Sequence, residues 1–246
     1  MNAIELEGLT KVYDRPVVDG LTLSIREGEL FGLLGVNGAG KTTTLRMLSC
    51  LTAPTRGDAR ILGHSVVRES ALVKPLLNVS PQETAVAPLL NVRENLELIA
   101  GVYGASRAQA AQKASRLMEE FSLQPVERKR ARVLSGGWQR RLSIAMALIT
   151  EPQVLFLDEP TLGLDVLARR ELWELVRSLH GRVTILLTTH YMEEAEALSD
   201  RVGILQAGRL RAVGTPGELI ARAGAKSFEE AFVALAASKG GDGTCA

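Results

Sequence analysis

From Leu30 to Leu34 the chain is continuously apolar, then polar and rich in glycine, and from Lys41 its apolar residues recur at helical spacing. A run covered on both faces, then a loop, then an amphipathic stretch, predicts a strand–loop–helix unit, with the helix over 41–51. Upstream the pattern alternates, in AIELEGL (3–9) and, after a turn at DRP (14–16), in VVDGLTLSIREGE (17–29), which predicts antiparallel strands at an N-terminal edge. Short strands follow within 52–63 and at Leu76–Val79. Residues 91–104 and 107–121 then repeat at helical period, in a stretch turned to Ala, Glu, Arg, Leu and Gln. Next comes a helix over 135–152, with Leu142, Ala145, Met146 and Ile149 on one face, and a buried strand, VLFLDEP. The alternation continues with a helix over 171–181, a strand over 183–190, a helix over 192–200 and a hairpin over 201–214 turning at Ala207-Gly208. Strands alternating with helices imply an α/β fold, a mostly parallel sheet with helices on both faces. One domain is expected over 1–237, with a core of 1–81 and 133–237, a helical subdomain of 82–132 inserted in it, and a disordered tail over 238–246.

Composition narrows the classes. With 46% hydrophobic residues, 246 residues can bury a substantial core. The net charge of +1 advertises no nucleic-acid partner. Two cysteines, Cys50 within the helical pattern and Cys245 in the tail, suit a reducing compartment. The N-terminus lacks the apolar core of a secretion signal, and no window reaches the ~18–20 apolar residues of a membrane span.

The glycine loop carries the first chemistry. Gly35, Gly40, Lys41 and Thr42 fit G-x-x-x-x-G-K-[ST] between a predicted strand and helix, so the backbone of Asn37, Gly38, Ala39, Gly40 and Thr43 can turn its N–H groups onto phosphate. Lys41 adds a full positive charge, and Thr42 a hydroxyl for Mg²⁺. Asp158, at the end of an apolar strand, is the expected second Mg²⁺ ligand, and Glu159 beside it can take a proton from water attacking the γ-phosphate. Asp-Glu before Pro also reads as a plain strand-ending turn. LSGG (134–137) opens a helix: Ser135 reads as its cap, and two glycines at a helix N-terminus make a second phosphate site.

These motifs, in this order and over nearly the whole chain, resemble the nucleotide-binding subunit of ATP-binding-cassette (ABC) transporters, with the P-loop ATPase fold of that family. The resemblance implies ATP and Mg²⁺ as cofactors. It gives Tyr13, with Val18 beside it, the adenine, and it gives Gln82 of VSPQE contact with Mg²⁺, the reacting water and the transmembrane partner. Ser135, Gly136 and Gly137 are then to reach the γ-phosphate held by a second copy. Leu164 and Asp165 are to cross the dimer interface, and His190 is to touch the γ-phosphate. Departures are Val36, Thr42 and Trp138, none of which removes a ligand. His64 and His180 match nothing in the family and read as surface residues.

TTHYMEEAEALSDRVGIL and SFEEAFVALAA look like bacterial drug, antibiotic and sodium exporter ATPases of the daunorubicin-resistance type. Such subunits pair as homodimers and dock on a separate permease at the cytoplasmic face of the inner membrane. Residues 83–96 read either as a wall of the permease groove or as ordinary cover for the sheet. The cluster ERKRAR (127–132) reads as a phosphate or lipid-headgroup site or as a solvated face. An importer ATPase would share the catalytic residues, a non-transport ABC ATPase would usually carry two cassettes or a long coiled coil, and a small-molecule kinase would lack LSGG.

Overall fold

A computed structural model describes residues 1–237; the tail expected from Ser238, with Cys245, lies outside the described residues. Among the described residues the strands form two sheets. Strands β1 (Asn2–Val12) and β2 (Pro16–Arg26) pair antiparallel, and β4 (Arg56–Ile61) and β5 (His64–Ser65) complete a sheet of order β2-β1-β4-β5. The antiparallel strands expected at an edge thus form a sheet of their own, because β1 spends both its hydrogen-bonding sides, on β2 and on β4.

The second sheet holds β3 (Leu30–Leu34), β6 (Leu77–Ser80), β7 (Val154–Asp158), β8 (Thr184–Thr189), β9 (Arg201–Gln206) and β10 (Arg209–Gly214), in the order β10-β9-β3-β8-β7-β6. Five strands run parallel and β10 returns antiparallel through a two-residue turn. Ala207 (φ 48°) and Gly208 (φ 77°) take left-handed backbone there, as a tight hairpin between twisted strands requires.

Alternation along the parallel strands divides the core. On β7, Val154 and Phe156 face the antiparallel sheet and α1 (Lys41–Leu48), while Leu155 and Leu157 face the opposite layer. That layer contains α3 (Val92–Val102), α4 (Arg107–Glu120), α5 (Gly136–Leu148) and α6 (Val166–Ser178). A third cluster gathers α7 (Met192–Leu198), α8 (Pro216–Ala223) and α9 (Phe228–Ala237) on β9 and β10. The short α2 (Ser70–Val73) leads into β6.

Helix α1 stops three residues short of the expected Leu51. Beyond its end the Leu51 and Thr52 amides fold back onto Arg46 O, at 2.9 and 3.0 Å, and Cys50 swings to φ 56°, so Cys50 stands outside the helix. Reciprocal caps start α3 (Asn91 with Glu94), α4 (Ser106 with Gln109) and α8 (Thr215 with Glu218).

One buried amide organises the segment before α3. Asn95 is fully buried; its Oδ1 accepts from Ala87 N at 2.7 Å, and its Nδ2 donates to Ala87 O, Leu90 O and Asn91 O. Asn95→Ala leaves Ala87 N without its acceptor, while the three carbonyls keep their backbone donors, and we expect a loss of about 1–3 kcal/mol in urea unfolding. A loss below about 0.5 kcal/mol would mean that water replaces the amide.

Candidate active site

The site lies where β3, β7 and β8 end at one edge of the parallel sheet, the position at which such sheets bind ligands. Gly35 N donates to Thr189 O at 3.1 Å, which fastens the start of the loop to the end of β8. Two glycines are dictated by close approach. A Cβ on Gly35 would stand 2.4 Å from Leu205 O, and one on Gly40 would stand 2.6 Å from Val17 O. Gly40 also needs φ 108° to open α1.

Lys41 is buried, and its ammonium is fully engaged. It donates to Gly35 O at 2.7 Å and Val36 O at 3.2 Å, and its Nζ lies 3.0 Å from Glu159 Oε1. The other Glu159 oxygen contacts His190 Nδ1, so one carboxylate joins the loop lysine to the residue after β8. Glu159 is itself held in left-handed backbone (φ 49°), with its N–H on Thr188 O at 3.1 Å. Strained backbone of this kind costs about 1 kcal/mol or more, and it aims the side chain across the sheet edge. Asp158 Oδ1 accepts from Thr42 Oγ1 at 3.2 Å and from Thr188 Oγ1 at 2.5 Å.

An open cavity of about 350 Å³ is lined by the loop from Asn37 to Thr43, with Val17, Gln82, Glu159, Leu162 and His190. The structure thereby brings Asn37, Gly38, Ala39, Gly40, Lys41, Thr42, Thr43, Gln82, Glu159 and His190 together, with Asp158 directly behind Thr42. A glycine loop that opens onto a helix N-terminus, one buried cation, a hydroxyl beside a carboxylate and a second carboxylate fit a polyphosphate with a divalent cation. Tyr13 is about half exposed and Val18 is buried; neither lines the cavity, although Val17 beside them does.

The remaining expected residues stand apart from this cavity, at the heads of α5 and α6. Gly137 packs closely on α6, where a Cβ would meet Ala168 Cβ at 3.1 Å, while a Cβ on Gly136 would meet Leu164 Cδ2, just before α6, at an ordinary 3.5 Å. Asp165 caps α6, accepting from Leu167 N and Ala168 N at 3.0 Å. Ser135 holds the N-cap position of α5 by backbone, but its hydroxyl makes no capping bond, contrary to its reading as a cap. The hydroxyl and the first amides of α5 are therefore unspent, on an exposed stretch.

Three supporting residues fall outside the sequence motifs. Thr188 holds Asp158 and the Glu159 amide. Buried Arg140 donates to Pro81 O at 2.7 Å and Gln82 O at 2.6 Å, tying the backbone of Gln82 to α5; burial pulls its pKa down, opposed by Asp158 and Glu194. Glu194, one turn past His190, is fully buried and accepts from Trp173 Nε1 at 3.2 Å. Burial pushes the pKa of Glu194 up, against the hydrogen bond from Trp173. A charged residue on an otherwise apolar helix face is the one signal that could have singled out Arg140.

Comparison with known proteins agrees with this geometry. Residues 18–162 match the family model described as ABC transporter. A daunorubicin resistance ATP-binding protein of Streptomyces coeruleorubidus is 48% identical over 226 residues, 90% of this chain and 71% of that protein. A Nod factor export ATP-binding protein of Paraburkholderia xenovorans is 46% identical over 221 residues, 89% of this chain and 73% of that one. Among solved structures, an ATP-binding subunit of an ABC transporter superposes with a TM-score of 0.83 at 31% identity, covering 95% of this chain and 99% of that one. A dimeric, post-hydrolysis ATP-binding cassette bound to ADP and Pi gives a TM-score of 0.78 at 26% identity, covering 86% and 98%. The chain belongs to the ABC transporter family, and it is an ATP-binding, ATP-hydrolysing domain of that family.

Glu194 yields a test of the electrostatics behind the site. Because its folded pKa is raised, the folded state holds this proton more tightly than the unfolded chain, so stability falls as pH rises from the ordinary carboxylate value of about 4.3 toward the folded value. Glu194→Gln removes that slope. Its stability relative to wild type, from urea unfolding at pH 4.5 and about pH 8, should increase with pH; parallel curves would contradict the shift.

Proposed function

We propose that this chain is the motor subunit of an exporter, hydrolysing ATP in a homodimer docked on a separate transmembrane permease. The observation that carries the reading is the linkage of Lys41, Glu159 and His190 beside one phosphate-sized loop, in a cavity that Gln82 also lines. In this reading Glu159 accepts the proton of the attacking water, and its carboxylate is aimed by the left-handed backbone and by the contact with His190. Lys41 offsets charge on the β- and γ-phosphates, and the loop amides hold the rest of the triphosphate. His190 donates toward the γ-phosphate, and Tyr13, with Val18 behind it, stacks on adenine. Thr42, Asp158 and Gln82 are the residues that would hold Mg²⁺, which neutralises phosphate charge when bound.

The unspent Ser135 hydroxyl and the amides of Gly136 and Gly137 need an acceptor, and a γ-phosphate presented by a second copy supplies one. Asp165 and Leu164, packed beside them, then sit at the seam between the copies. Residues 82–132 form the subdomain facing the permease, inserted into a core of 1–81 and 133–237. Residues 83–96 offer a wall to a cytoplasmic helix of the permease. Among the described residues no helix is long and apolar enough to cross a membrane, which accords with peripheral attachment at the cytoplasmic face of the inner membrane. The relatives named for drug resistance and for export favour export over import.

Glu159→Gln should keep nucleotide affinity and lose about 10²–10⁴ of the turnover in a phosphate-release assay. Near wild-type turnover would remove Glu159 from the chemistry. With ATP, the same variant should sediment as a dimer, alone or beside its permease, and Ser135→Ala in that background should weaken the dimer. A monomer under both conditions would overturn the shared site.

A further inference from the structure

The densest group of cations along the described chain, four within the five residues 128–132, is not used by the proposed reaction. Arg128, Lys129, Arg130 and Arg132 are all exposed and, among the described residues, none has an ion pair. The surrounding carboxylates are already engaged: Glu127 takes Arg93 Nε at 2.6 Å, Glu97 takes Arg93 Nη1, and Glu94 accepts the Asn91 amide in the α3 cap. Arg116, Arg182 and Arg209 each meet a carboxylate within 3 Å, whereas other exposed arginines, among them Arg15, Arg46, Arg68 and Arg107, have no ion pair among the described residues either; what sets this segment apart is four such cations within five residues. With a total formal charge of +1, removing these four cations would leave 1 − 4 = −3, so the patch reverses the sign of the rest of the chain.

The patch is built on firm backbone. Ala131 N donates to Leu90 O at 2.8 Å, Arg132 N to Pro88 O at 3.1 Å, and Gln139 Nε2 to Ala131 O at 3.1 Å. These bonds place the segment 128–133 against 88–91, so Leu89 and Val133, both 65% exposed, lie on the two segments that join there. Two bare aliphatic side chains beside four unpaired cations on long flexible stems are the composition of a surface that meets an anionic lipid–water interface.

We propose that the basic patch Arg128–Arg132, with Leu89 and Val133, binds the headgroups of acidic phospholipids directly. The cations meet lipid phosphates, and the two aliphatic side chains enter the headgroup layer. This contact goes beyond docking on a permease and is independent of nucleotide. A protein partner would be matched by shape and by placed acceptors, whereas loosely tethered charges around small apolar tips suit a fluid surface.

The test is co-sedimentation of the purified chain with vesicles of pure phosphatidylcholine and with vesicles one-third phosphatidylglycerol, without nucleotide. Binding is expected to the acidic vesicles only and to fall steeply as salt rises. At about 1 kcal/mol per cation near such a surface, each Gln substitution should weaken partition about fivefold, and R128Q/K129Q/R130Q/R132Q should weaken it about a hundredfold or more. The ATPase rate of the fourfold variant in solution reports that the fold and the hydrolytic site survive, so a failure of the patch is distinguishable from a failure of the ATPase reading. Equal binding to neutral vesicles, or a fourfold variant that binds as wild type does, overturns the proposal. Binding only to vesicles that carry the permease also overturns it and assigns the patch to a protein partner.

Discussion

A lysine ammonium buried at the sheet edge is the constraint on which the site is built. Burying an unpaired cation is very costly, so Lys41 must be surrounded by acceptors, and the two carbonyls of its own loop and the Glu159 carboxylate supply them. Meeting that need fixes much else. The loop can curl its carbonyls inward only because Gly35 and Gly40 have no side chain to collide with Leu205 O and Val17 O. Glu159 can reach across only because its backbone is left-handed and anchored on Thr188. Such an arrangement does little for stability relative to an apolar equivalent, which points to a ligand rather than the fold as its purpose.

The architecture separates two tasks. Parallel strands covered on both faces form a rigid frame, and their ends deliver Gly35, Asp158 and Thr189 to one line. A second surface, at the heads of α5 and α6, carries Ser135, Gly136, Gly137 and Asp165, away from the cavity. Arg140 connects the two: from α5, just beyond the glycines, it holds the backbone of Gln82 at the cavity wall. A displacement of α5 would be passed to Gln82 through those two hydrogen bonds, which gives the proposed coupling between partner docking and hydrolysis a physical element.

What was legible in the sequence was local. The glycine loop, the strand end at Asp158-Glu159, the hairpin at Ala207-Gly208 and the helices depend on neighbouring residues and are present, although α1 ends at Leu48 instead of Leu51 and α6 runs over Val166–Ser178 instead of 171–181. What depended on distant partners was not legible. Glu193 and Glu194 are adjacent and chemically alike, yet one is exposed and the other is sealed beneath Trp173. Thr188 is one of two threonines ending β8, and only the neighbouring strand shows that it holds Asp158. The N-terminal strands alternate as an edge would, and it is the second partner of β1 that makes them a separate sheet. Ser135 has a capping residue's identity and backbone without its bond, since identity does not fix where a hydroxyl points.

The most direct test of the central claim is calorimetric titration of ATP into Lys41→Met, with the fold of the variant checked by its urea midpoint. If the buried ammonium is there for phosphate, the variant stays folded and ATP affinity falls by about tenfold to a hundredfold, the worth of charge-assisted hydrogen bonds. A folded variant that binds ATP as tightly as wild type would contradict the account and make Lys41 part of the scaffold alone.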